Sequence, residues 1–126
     1  MKTVDHTNPM ISALDLRKRA TEIGFEYATL LDVCDNIADE LNELRDALAR
    51  NNPQHIQEEI GDVLFAAVNI AYRCGVCPSE SLAYSNEKFK ARFDLLVKEI
   101  ASRGVQQSQL SLADMHPIWR EIKQKS

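Results

Sequence analysis

Apolar positions recur along this chain with helical spacing nearly everywhere, and no stretch shows the alternation of a half-buried strand. The first predicted helix covers residues 11–23. Ile11, Leu14, Leu16 and Ala20 form its apolar side, and Gly24 ends it. "FEYATL" turns the chain into a second helix, 29–50, with a stripe of Ile37, Leu41, Leu44 and Leu48. "RNNPQ" is a break and a restart, since Asn52 suits a helix cap and Pro53 a first helical position. The third helix, 53–74, contains "VLFAAVNIA", apolar on almost every side. Such a helix is surrounded, either by its own bundle or by another subunit. "GVCPSE" leads to a fourth helix, 79–102, with Leu82, Phe89, Phe93, Leu96 and Ile100 on one face, closed by Gly104. A last helix, 112–124, opens on Ser111 and Asp114, which resemble a capping box, and Pro117 should make its first turn irregular. The expected fold is all-α: a bundle of four main helices plus a C-terminal helix. The short link makes the second and third helices antiparallel neighbours.

Composition narrows the function. A chain of 126 residues is expected to be a single domain, 1–126, and a partner subunit would help a chain of this size to cover its apolar surface. The net charge of −4 argues against a nucleic-acid surface, but not against a small phosphorylated ligand met by local cations or metal ions. No run approaches the roughly 18 apolar residues of a membrane span, and "MKTVDHTNPMIS" has no apolar signal core. The expectation is a cytoplasmic protein that uses neither nucleic acid nor membrane. Cys74 and Cys77 form a CxxC with no second ligand pair, so they read as reduced thiols near a helix end. Cys34 reads as a core residue.

The acids carry more information. Glu40 and Glu43 are three residues apart, and so are Glu59 and Asp62 on the next helix. At about 100° per residue, each pair falls near 300° and 240° from its own apolar stripe. If these edges meet, four carboxylates share a small volume, which a hard divalent ion neutralises. One such pair is what any solvated helix edge carries. Two pairs beside apolar stripes on adjacent helices leave both readings open. On the fourth helix, Lys88 and Arg92 are four apart and also flank the apolar face. Alone they are a solvated basic edge. Beside an acidic metal cluster they suit a polyphosphate, Lys as a point charge and Arg as a planar fork.

These segments resemble the MazG family of nucleoside triphosphate pyrophosphohydrolases, of the all-α NTP pyrophosphatase superfamily. The family pattern ExxE, gap, ExxD is matched by Glu40–Glu43 and Glu59–Asp62. "RKRATEIGFEY", "EEIGDVLFAAVNIA", "SNEKFKARF" and "DMHPIWREIK" extend the likeness over 11–124. The resemblance implies hydrolysis of an NTP or dNTP to the monophosphate and pyrophosphate. It implies Mg²⁺, with Mn²⁺ as a substitute, on Glu40, Glu43, Glu59 and Asp62, and the triphosphate on Lys88 and Arg92. It also implies a homodimer or a dimer of dimers. Three departures stand out: Tyr27 where members often have Trp, His55 where some have Lys, and room for one domain where well-known members carry two.

Candidates for the general base are Glu43 and Glu58, although Glu58 lies about 100° from Glu59 and is as readily solvent-facing. Asn86 and Trp119 are candidate nucleotide contacts, with helix capping and helix packing as their structural alternatives. Asn69, inside the apolar run, either orients an acid or makes a structural hydrogen bond. His6, His55 and His116 have no ligand spacing. Two other functions compete: a narrower dUTP- or dCTP-type all-α pyrophosphatase, and a non-catalytic helical interaction module. A di-iron carboxylate bundle wants ExxH, which is absent.

Overall fold

The computed structural model describes residues 8–126, so His6 lies outside the described residues. The architecture is all-α: α1 Pro9–Glu22, α2 Leu30–Arg50, α3 Pro53–Arg73, α4 Pro78–Ser102 and α5 Leu112–Lys125, with a short 3-10 turn at Gln107–Gln109. There is no strand among the described residues. The chain forms two compact units, one ending at Ser81 and the other Leu82–Ser126.

Local chemistry sets the helix ends. Asn8 accepts from Ile11 N and Pro9 occupies the first turn of α1. α1 ends at Gly24, whose φ of 83° is one that residues with a Cβ avoid. Gly24 N bonds Thr21 O, and Phe25 N bonds Ala20 O, which together form a Schellman motif. Thr29 and Asp32 cap α2 reciprocally, as Ser111 and Asp114 cap α5. Asn51 adopts the left-handed conformation, and Asn52 then caps α3 ahead of Pro53. Contrary to the expected irregularity, α5 runs unbroken past Pro117.

In the first unit α2 packs on α3, and α3 also packs on α1. Val33, Ala47, Ala66 and Val68 are its buried apolar residues. Asn69 is buried too, and accepts a 3.0 Å hydrogen bond from Nε of buried Arg17. Asn69 therefore joins α1 to α3 rather than orienting an acid. In the second unit Leu96, Ile100 and Ile118 form a core, flanked by Leu110, Met115, Trp119 and Ile122.

Several expected core positions are not enclosed. Ile11, Leu41, Leu48, Ile60, Leu82, Phe89 and Phe93 are exposed, as is Cys34. α3 has neighbours on two sides, so its most buried direction lies between them, on the small residues Ala66 and Asn69, not along Ile60 and Ala67. Within the single chain, the segment expected to be surrounded by its own bundle or by another subunit leaves Leu64 and Phe65 open to solvent.

Replacing Asn69 with Ala would strand the Arg17 donor in the interior. The expected loss is about 1–3 kcal/mol of unfolding free energy, measured by urea denaturation. A change under about 0.5 kcal/mol, the size of an ordinary surface substitution, would show that this bond does not hold α1 to α3.

Candidate metal centre

The α2–α3 hairpin turns at Asn51–Asn52. Glu43 and Glu59 are equidistant in sequence from Asn51, so an antiparallel pair brings them to the same height. Glu40 lies one turn further along α2 and Asp62 one turn further along α3. Carboxylate oxygens of Glu40, Glu43 and Glu59 all lie within 4.8 Å of one another. Asp62 is outside that set, but its charge is felt by both Glu40 and Glu59.

This crowding is electrostatically unfavourable. Burial lifts the Glu40 carboxyl above its ordinary value of 4.5, and the charge of Glu43 adds most to it, followed by Asp62 and Glu59. Glu59 is lifted by burial first, then by Glu43 and Asp62. Oε2 of Glu40 and Oε2 of Glu59 are shielded from solvent and accept no hydrogen bond among the described residues. Hard anionic oxygens with unused lone pairs, held close together, fit a hard divalent ion. Among the described residues, no Lys or Arg forms an ion pair with any of the four acids.

The remaining predicted site residues are placed as follows. Glu58 is exposed and outside the carboxylate cluster. His55 is exposed in the first turn of α3, and its backbone N–H bonds the Asn52 cap. Lys88, Arg92 and Asn86 lie on α4 in the second unit. Lys88 and Asn86 are exposed. Arg92 is half-buried and its Nε donates to Ser126 Oγ at 2.9 Å. Trp119 packs against Phe89 with ring centroids 5.4 Å apart, beside the Leu96–Ile100–Ile118 core. That contact accounts for its burial without a ligand. Arg17 was missed because an Arg on a helix reads as solvated. The available signal was its place between Leu14 and Ala20, inside the apolar stripe of α1.

Comparison with known proteins shows the family. Residues 28–94 match the model of the MazG nucleotide pyrophosphohydrolase domain, a stretch that takes in both acid pairs together with Lys88 and Arg92. The chain belongs to that family. It is 32% identical over 120 residues to a nucleoside triphosphate pyrophosphohydrolase of Escherichia coli K12, covering 92% of this chain and 45% of the relative. It is 29% identical over 124 residues to the nucleoside triphosphate pyrophosphohydrolase/pyrophosphatase MazG of Thermotoga maritima, covering 95% and 48%. A 70-residue stretch is 37% identical to the uncharacterized protein YabN of Bacillus subtilis, covering 56% of this chain and 14% of that one. The chain spans about half the length of the first two relatives.

Because the folded carboxyls of Glu40 and Glu59 hold their protons more tightly than unfolded ones, they favour the fold below pH 4.5. That contribution is lost as pH rises through their raised values. Asp114 is held below its ordinary 3.8 by its capping bonds, and its contribution is lost only as pH falls through the lowered value. In EDTA, Tm should therefore decline as pH climbs above 4.5, and Glu59→Gln should flatten the slope and raise Tm at neutral pH. Thermal melts across pH check this. A Glu59→Gln chain less stable than the parent in EDTA would show that the cluster is not repulsive.

Proposed function

We propose that the chain hydrolyses nucleoside or deoxynucleoside triphosphates to the monophosphate and pyrophosphate, with Mg²⁺ on Glu40, Glu43, Glu59 and Asp62. The observation that carries this reading is the trio of carboxylates within 4.8 Å, two of them with a shielded, unpartnered oxygen, in a chain of the MazG family. The names of the E. coli and T. maritima relatives support the reaction. Mn²⁺ offers the same preference for oxygen ligands and is the natural substitute.

Hydrolysis adds water across the anhydride between the α- and β-phosphates and releases pyrophosphate. When bound, a hard divalent ion supplies charge neutralisation at the phosphates. Glu43, an exposed member of the carboxylate trio, is assigned as the base that accepts the proton of the attacking water. Glu58, solvent-facing, is the weaker base in this account. Lys88 and Arg92 are assigned to the triphosphate. Lys88 is free of ion pairs among the described residues, and Arg92 is tied only to a serine hydroxyl. Asn86 and Trp119 have solvent and packing roles available and carry no weight here.

The same reading includes a homo-oligomer, a dimer or a dimer of dimers. Leu41 and Leu48 on α2 and Ile60 and Leu64 on α3 are 45–56% exposed, a series of apolar side chains that a second copy would cover. The compartment assigned is the cytoplasm. Cys34, Cys74 and Cys77 are free thiols, and no single helix among the described residues is long and apolar enough to cross a membrane.

With Mg²⁺ and a nucleotide panel, product analysis should show pyrophosphate and the monophosphate, and Glu59→Gln should cut turnover roughly a hundredfold or more. Orthophosphate with a diphosphate would contradict the reaction, and no hydrolysis of any nucleotide with either ion would favour the non-catalytic module. Light scattering should give at least twice the monomer mass, and Leu64→Glu should lower it. A monomeric parent chain would remove the oligomer from this account.

A further inference from the structure

Arg17 is a charged side chain inside the first unit with no ion pair among the described residues. It is 8% exposed. Its Nε is held by Asn69 Oδ1, and its guanidinium carbon stands 6.0 Å from the centre of the Phe65 ring. Nη2 is shielded from solvent and meets no acceptor among the described residues. Arg17 also forms one wall of a cavity of about 240 Å³, whose other walls are Phe25, Glu26 and Tyr27.

We infer that this cavity reads the edge of a guanine base, with Arg17 donating to the keto oxygen O6 and Glu26 accepting from the N1 and N2 hydrogens. The inference rests on the pyrophosphohydrolase reading for its substrate class. Three observations carry it. First, the walls hold one cation and one anion, so a simple anion is opposed by Glu26 and a simple cation by Arg17. A neutral ring that accepts at one atom and donates from the next two suits both. Adenine offers one acceptor and one donor group, in the reverse order along the ring. Second, Phe25 and Tyr27 give the cavity the aromatic walls that planar bases favour. Glu26 keeps lone pairs for a ligand, since its one ion pair among the described residues, with Arg73, is long at 4.0 Å.

Third, α3 acts as a ruler. Asp62 borders the carboxylate cluster and Asn69, which holds Arg17, lies two helical turns further on the same edge. At 1.5 Å per residue the two are about 10 Å apart along the axis. A nucleotide bridges such a separation, from its phosphates through the sugar to its base.

The test compares guanine with adenine nucleotides in two ways. Calorimetry with GMP and AMP in EDTA reads the pocket without hydrolysis, and kcat/KM for GTP and ATP with Mg²⁺ reads it during turnover. The expected preference for guanine is roughly tenfold to a hundredfold, the worth of one good bidentate base contact. Arg17→Gln and Glu26→Gln should each bring the ratio close to one. Glu26 is on the open rim, so its variant tests the idea even if Arg17→Gln unfolds. Equal binding of GMP and AMP, or a ratio unchanged in both variants, overturns the inference whether or not pyrophosphate is released. Guanine-selective binding through Arg17 with no hydrolysis of any triphosphate would sustain the pocket and defeat the catalytic reading.

Discussion

Mutual repulsion among carboxylates on one helical hairpin is the constraint around which the first unit is organised. Glu40, Glu43 and Glu59 are brought within 4.8 Å because α2 and α3 turn back at Asn51–Asn52 and the acids sit at matched heights. Nothing in the local geometry relieves them: no cation pairs with them among the described residues, and burial raises two of them further. A fold maintained only for its own stability would not favour this arrangement. It makes sense where a divalent ion and a polyanion complete the charge balance.

The rest of the unit supports that hairpin. Caps at Thr29–Asp32 and Asn52 fix where each helix begins, and therefore the phase at which each acid emerges. α1 is fastened to α3 by the buried Arg17–Asn69 bond. This places a polar link in the interior where a larger apolar pair would otherwise be expected. The chain accepts that cost at a position that also borders a cavity.

Much of this was legible in the sequence. Helix limits were set by Asn52-Pro53, Gly24, Gly104 and Ser111–Asp114, signals that act through neighbouring backbone atoms and need no tertiary context. The i, i+3 acids were legible for the same reason. The burial of particular side chains was not. A helical projection assigns one apolar side, yet α3 packs on two helices and its buried direction falls on Ala66 and Asn69. Cys34 and Leu48 look like core by type and are open to solvent. Arg17 looks like surface by type and is buried, because its partner lies 52 residues away in sequence.

The most direct test of the central claim is an anomalous-diffraction experiment on crystals of the chain grown or soaked with Mn²⁺. The account predicts an anomalous peak among Glu40, Glu43, Glu59 and Asp62, with the shielded oxygens of Glu40 and Glu59 as ligands. Crystals saturated with Mn²⁺ that show no peak there, with the three glutamates turned apart into solvent, would contradict it.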